Sequence, residues 1–190
     1  VRDAKGRVAI VTVDESPRRE TTLEALARLA PVFDLPEGED RGAATVGTVT
    51  AGNAPGITDG AAALVVASER AVERHGLTPM GRVVAYAQAE VTPKWLFLAP
   101  VEGVRALERK TGMAPQDYDL VEVNEAFAAQ VLADGRELGL DWNRVNVNGG
   151  AIALGHPIGA SGARIVTTLL HELARRGERT GLATLCLGGG

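Results

Sequence analysis

The chain has 190 residues, of which 45% are hydrophobic, and its formal net charge is -4. This length and composition are enough to bury a substantial core, and no window of the sequence is long and apolar enough to span a membrane. The sequence has no basic block, which argues against nucleic acid as a partner because phosphate binding needs clustered Lys and Arg. We therefore expect a soluble protein whose partner is a small molecule.

The cysteine content indicates the compartment. The only cysteine, Cys186, cannot form an internal disulfide, and the sequence shows no secretory signal. Both observations favour a reducing environment and predict a cytoplasmic location. Because the chain starts at Val1 and stops abruptly at Gly190, we expect it to be a segment of a longer protein.

Before residue 80 the sequence predicts a hairpin arm over residues 1–14 around Lys5 and Gly6, and then two helices and one strand. Thr21 and Glu24 have the spacing of a capping box, which predicts a helix that ends at Pro31. The apolar run 61–67 has the composition of a strand. Ser68 follows it as a candidate cap for a helix that ends at the next glycine.

From Arg82 onward, apolar segments of strand and helix type alternate. Repeated βα units of this length predict a layered α/β domain. The predicted strands cover 82–88, 119–123, 145–147 and 181–187, and the predicted helices cover about 101–111, 126–138 and 160–176.

A glycine-rich segment surrounds His156. Glycine is unfavourable in regular structure, so its density over 146–164 indicates a backbone that bends sharply or approaches a ligand closely. Pro157 favours an extended conformation for His156. A histidine is more often an ordinary loop or core residue, but the glycines on both sides of His156 leave room for a ligand and favour a functional imidazole.

Cys186 lies at the end of the last predicted strand and is followed by glycines from Gly188 to Gly190. Most lone cysteines are small buried hydrophobic residues. Here the neighbouring N–H groups are candidates to stabilise an oxyanion, and the thiol is a candidate general base. Together with His156, these groups indicate acyl transfer.

Five segments carry a resemblance to a known family. Three C-terminal motifs, NEAFA, GHP and CLGGG, resemble signatures of the thiolases in order and separation, and GTVTAGN and DGAAA resemble an upstream stretch of the same family. The resemblance covers essentially the whole chain. These segments are residues 124–128, 155–157, 186–190, 47–53 and 59–63.

The resemblance implies a layered α/β fold of thiolase type, because thiolases consist of two similar α/β halves and an inserted loop domain. It places residues 1–54 in the tail of the loop domain and residues 55–79 in the last strand and helix of the N-terminal domain. Residues 80–190 then form the C-terminal domain without its last strand. The family's nucleophilic cysteine lies in a block that this chain does not contain.

The resemblance also implies roles for individual residues. Cys186 matches the base, and His156 with a water held by Asn124 matches the group that binds the thioester oxygen. The N–H of Gly188 matches a donor to the tetrahedral oxyanion. On sequence alone an asparagine in this position is more often an N-cap, a role compatible with the other, and Glu125 is a candidate for a supporting hydrogen bond.

Three further positions match substrate contacts. Leu96 and Phe127 match residues beside the acyl pocket, although apolar residues are most often simple core. Arg18 matches an arginine that contacts coenzyme A, although it is also an ordinary solvated cation. The chain departs from the family pattern at two places that affect substrate specificity. Pro55 replaces a hydrogen-bonding serine found in many thiolases, and the segment 93–100 is bulkier than the Gly-containing segment often found there.

The implied function is acyl transfer, by Claisen condensation of acyl-CoA or thiolytic cleavage of 3-ketoacyl-CoA in fatty acid metabolism. Coenzyme A and its esters are the expected substrates, with no permanently bound cofactor, no metal ligands and assembly as a homodimer or homotetramer. We expect the chain alone to be inactive, since it lacks the nucleophilic cysteine. Two alternatives are a ketoacyl synthase, disfavoured because it carries histidine where this chain has Cys186, and a non-catalytic thiolase-like protein that binds acyl-CoA or lipid.

Overall fold

A computed structural model describes residues 5–8, 10–34 and 47–187. No helix in these ranges has both the length and the apolar character needed to cross a membrane. Two 3-10 helices cover Pro93–Leu98 and Pro115–Asp117. The remaining elements are α1 (Leu23–Leu26), α2 (Glu69–His75), α3 (Ala99–Thr111), β1 (Leu120–Val123), α4 (Ala128–Leu138), α5 (Ala151–Leu154), α6 (Ile158–Arg176) and β2 (Gly181–Thr184).

Strand β1 is the centre of a small parallel sheet. It pairs with β2 so that Leu120 lies opposite Gly181, and Val121 forms a parallel bridge to Val145 on its other side. All four residues of β1 are buried. Because the strands are parallel, the residues that follow β1 and β2 meet at the same edge of the sheet.

The core forms where helices cover this sheet. Helix α6 packs against both strands, while α3 contacts β2 and α4. These contacts confirm the layered α/β arrangement. The buried apolar cluster consists of Val101, Val104, Tyr118, Val121, Val123, Val131, Leu138, Leu140, Val145 and Leu182.

Most predicted helices are present, but α1 differs from its prediction. The Ser68 hydroxyl accepts a hydrogen bond from the Ala71 N–H at 3.3 Å, so Ser68 caps α2 as predicted. In α1 the capping residue is Thr22, not Thr21, and the helix ends at Leu26, well before Pro31. A single turn of helix is marginal without a packed face, and α1 has no buried residue.

Two predicted strands are absent from the described residues. The ranges 61–67 and 82–88 form no strand, and Val65 and Val84 are 94% and 79% exposed. A strand needs a neighbour to pair its backbone groups, and neither range pairs with one in the described chain. The prediction for 145–147 is reduced to the bridge at Val145.

Candidate active site

Asn124 lies at the carboxyl edge of the sheet, directly after β1. It is completely buried, and its backbone N–H donates to the Thr184 carbonyl at the end of β2, at 2.9 Å. The interpretation of Asn124 as an N-cap is wrong, since α4 begins at Ala128 with Phe127 in the cap position. The side chain of Asn124 is therefore free to face the site.

The structure brings Asn124 and His156 together. The Nδ2 atom of Asn124 lies 3.4 Å from Nε2 of His156. The Oδ1 atom of Asn124 is buried and has no hydrogen-bond partner. Two side-chain nitrogens at this separation can both lie within hydrogen-bond distance of one oxygen atom, and Nε2 donates to it when the ring carries its proton there.

The loop that carries His156 is fixed through its backbone and its ring. The backbone N–H of His156 donates to the Gly56 carbonyl at 2.9 Å, and its Nδ1 lies 2.7 Å from the Ser161 hydroxyl. Gly155 has φ 93°, and a Cβ at this position would lie 2.5 Å from Oγ1 of Thr58. Glycine is therefore required beside the histidine, as the sequence indicated.

Glu125 supports the start of the glycine-rich segment. One of its carboxylate oxygens accepts from Nδ2 of Asn146 at 3.1 Å, and the other accepts from the Ile152 N–H at 2.9 Å. A Cβ on Gly150 would lie 2.1 Å from the carboxylate carbon. Glu125 therefore makes the kind of supporting contacts that the sequence indicated, and Gly150 makes room for it.

The imidazole of His156 lies in an environment that disfavours its charge. Burial, and then the positive charge of Arg164, lower the pKa of His156. Burial also raises the pKa of Glu122 to about 7, although Arg164 opposes this change. Atoms Nε and Nη1 of Arg164 are buried without a hydrogen-bond partner. Both effects on His156 favour the neutral imidazole, in which the tautomer determines which nitrogen donates.

Cys186 lies two residues beyond the end of β2 and is half-buried. Burial, and then the charge of Asp134, raise the pKa of its thiol. A raised pKa makes the thiolate scarcer but makes it a stronger base once formed. Gly188, the predicted oxyanion donor, lies outside the described residues.

Asp134 was not identified from the sequence. Its side chain is completely buried in α4, and one oxygen accepts from Nε2 of Gln130 at 2.5 Å while the other has no partner. Burial raises the pKa of Asp134 to about 6. Its position in an otherwise apolar stretch of α4 was the signal available in the sequence.

The residues matched to the acyl pocket have different environments. Phe127 packs edge-to-face against Phe97, with ring centroids 5.2 Å apart, and Phe97 was not singled out from the sequence. Leu96 is half-buried in the adjoining 3-10 helix. Arg18 is exposed, and its carbonyl accepts from the Thr21 hydroxyl at 2.9 Å. No cluster of three or more His, Cys, Asp or Glu side chains suited to a metal ion occurs within the described ranges.

Comparison with known proteins identifies the family. The thiolase C-terminal domain matches residues 77–190, and the thiolase N-terminal domain matches residues 1–70. The acetyl-CoA acetyltransferase of Thiocystis violacea is 52% identical over 98% of this chain and 45% of its own length. The β-ketoadipyl-CoA thiolase of Pseudomonas aeruginosa is 54% identical over 100% of this chain and 45% of its own length. The chain thus spans less than half of these relatives.

Solved structures give the same family. The acetyl-CoA acetyltransferase of Bacillus anthracis superposes with a TM-score of 0.83 at 48% identity, covering 93% of this chain and 42% of that one. Human mitochondrial 3-ketoacyl-CoA thiolase in complex with CoA gives a TM-score of 0.80 at 44% identity, covering 95% and 43%. The chain belongs to the thiolase family and has its layered α/β fold.

Proposed function

We propose that this chain supplies the base and the enolate-binding groups of a thiolase active site. The observation that carries the proposal is the 3.4 Å approach of Asn124 Nδ2 to His156 Nε2, at the sheet edge where Cys186 follows the neighbouring strand. The reaction is Claisen condensation of acyl-CoA, or in reverse the thiolytic cleavage of 3-ketoacyl-CoA.

In the condensing direction, an acetyl group is held as a thioester on a cysteine outside this chain. The thiolate of Cys186 removes a proton from the α-carbon of a second acetyl-CoA, and negative charge develops on the thioester oxygen of that substrate. His156, together with a water held by Asn124, stabilises this oxygen. The carbanion attacks the enzyme-bound acyl carbonyl, and the nucleophilic cysteine leaves as its thiolate.

Gly188 has a separate role in this proposal. Its N–H donates to the tetrahedral oxyanion that forms on the attacked acyl carbonyl. The two developing charges are then stabilised by different groups, and the two cysteines divide the work between nucleophile and base. Because the nucleophilic cysteine is not in this chain, the chain alone does not perform thiolysis.

Substrate binding is assigned to Leu96, Phe127 and Arg18. Phe127, packed against Phe97, and Leu96 border the acyl group, and Arg18 contacts coenzyme A. Coenzyme A and its esters are substrates, and no cofactor is bound permanently. The relatives' names and the CoA complex of the human thiolase support this substrate class.

The remaining proposals concern the whole protein. The domain boundaries near 54 and 79, assembly as a homodimer or homotetramer, and a cytoplasmic location stay predictions. The ketoacyl synthase alternative is disfavoured by the thiol of Cys186. The non-catalytic alternative predicts that a complete protein containing this chain binds acyl-CoA or lipid without turnover.

Replacement of His156 tests the proposal in a complete protein that contains this chain. His156→Ala is expected to lower kcat by about 10² to 10³ with little change in KM, because the ring stabilises charge that develops in the transition state. His171→Ala is a matched control, since His171 is exposed on α6. Turnover within a few-fold of wild type, with weaker substrate binding, contradicts the proposal.

A further inference from the structure

We infer that Ser161 is a positioning residue that places the proton of His156 on Nε2, where it meets the substrate oxygen. This inference rests on the proposed function, because it concerns the same oxyanion site. Ser161 is completely buried in the first turn of α6, so water does not compete for its hydroxyl. The hydroxyl lies 2.7 Å from Nδ1 of His156.

The Ser161 hydroxyl has two possible partners. Besides Nδ1 of His156, it lies 3.1 Å from the Pro157 carbonyl oxygen. That carbonyl also accepts the N–H groups of Ala160 at 2.8 Å and of Ser161 at 2.9 Å. A carbonyl oxygen has two lone pairs, so these two amides already satisfy it. The hydroxyl can therefore turn to His156 without leaving a buried acceptor unpaired.

The direction of the Ser161 hydrogen bond determines what Nε2 can do. When the hydroxyl donates to Nδ1, a neutral imidazole carries its proton on Nε2. When the hydroxyl accepts from Nδ1, Nε2 carries a lone pair and accepts from Nδ2 of Asn124, 3.4 Å away. Only the first arrangement lets Nε2 of His156 donate to the substrate oxygen, beside the water that Asn124 holds in the proposed function.

The choice of tautomer matters because the surroundings of His156 favour the neutral ring. An imidazolium would donate from both nitrogens whatever its neighbour, but burial and Arg164 lower the pKa of His156. A neutral ring needs an external donor at Nδ1 to hold the useful tautomer. Ser161 provides that donor from a helix whose position is fixed by the core.

A double-mutant cycle in a complete protein containing the chain tests this inference. Ser161→Ala is expected to lower kcat about 10-fold, the scale of one hydrogen bond worth about 1.4 kcal/mol, with KM nearly unchanged. In the His156→Ala background the same change is expected to have no further effect, because Ser161 acts through the ring. Thr167→Val is the matched control, since it removes another α6 hydroxyl, which donates to the Ala163 carbonyl at 2.8 Å.

The outcomes separate the two proposals. A loss from Ser161→Ala that is equally large with and without His156 overturns the role of Ser161 but leaves the proposed function intact. Unchanged turnover in His156→Ala overturns the proposed function itself. A second measurement uses the unaltered protein and so does not depend on whether a variant folds. Nitrogen-15 NMR of the His156 ring with a bound substrate analogue is expected to show the proton on Nε2. A proton on Nδ1 alone contradicts the inference.

Discussion

Replacement of Asp134 by asparagine is expected to stabilise the fold at neutral pH. Asp134 is completely buried, and of its two oxygens only one has a partner, Nε2 of Gln130. Its ionised form is therefore poorly compensated, whereas an amide of the same shape carries no charge. The predicted gain is largest where the wild-type carboxyl is ionised.

The magnitude follows from the pKa of this group. Burial raises the pKa of Asp134 from its ordinary 3.8 to about 6, and the gap corresponds to about 3 kcal/mol at about 1.36 kcal/mol per pKa unit. Between pH 3.8 and about pH 6, the folded state keeps a proton on Asp134 that the unfolded state has lost. The free energy of unfolding therefore falls as pH rises from about 4 through about 6, and then levels off.

Urea unfolding of the chain and its Asp134→Asn variant, at pH values from 4 to 8, measures this difference. The variant is expected to match wild type near pH 4 and to exceed it by about 3 kcal/mol at pH 8. Glu122, whose pKa is about 7, titrates in both proteins, so the difference between them isolates Asp134. Asp141→Asn is the control, because Asp141 is exposed and the Asn143 N–H lowers its pKa. Equal stability of wild type and Asp134→Asn at pH 8 would refute the reasoning.

Two further predictions concern the site. Asp134→Asn is expected to lower the pKa of the Cys186 thiol, because the charge of Asp134 raises it. Alkylation by iodoacetamide across pH reports Cys186 alone in this chain, and its midpoint should move to lower pH; an unchanged midpoint would contradict the coupling. Gly150→Ala is expected to destabilise the fold by about 1 to 3 kcal/mol, because its Cβ displaces the Glu125 carboxylate from two hydrogen bonds. Gly103→Ala in helix α3 is the control, because a Cβ added there meets no neighbouring atom within 4 Å, and it should raise the free energy of unfolding by up to about 1 kcal/mol. Equal changes in the stability of the two variants, measured by thermal unfolding, would contradict this account.

Local patterns predicted the helices and the central strands well. The spacing of apolar residues located α3, α4 and α6, and Ser68 marked the start of α2, because these signals depend on neighbours in the chain. The ranges 61–67 and 82–88 were wrongly predicted as strands. Their composition is right for strands, but pairing depends on a partner that the sequence of the segment does not specify.

Some residues of the candidate site were predicted and others were missed, because local sequence signals do not specify contacts with distant parts of the chain. His156 and Asn124 were found through motifs, and the structure brings their side chains together. Ser161 and Asp134 were missed, since a serine in a helix and an acidic residue in a helix are each ordinary in sequence. The burial of these side chains and their distances to neighbours distinguish them, and the sequence offered only the apolar stretch around Asp134 as a signal.

The central claim is that Cys186 is the base, and the two half-reactions of a complete protein containing this chain test it most directly. Cys186→Ser is expected to block condensation far more than transfer of acetyl onto the enzyme, because a hydroxyl is a much poorer base than a thiol with an ordinary pKa of about 8.5. The measurement compares acetyl incorporation from labelled acetyl-CoA with formation of acetoacetyl-CoA in the same variant. Retained acetylation with lost condensation is the predicted result, and an equal loss of both half-reactions would contradict the assignment.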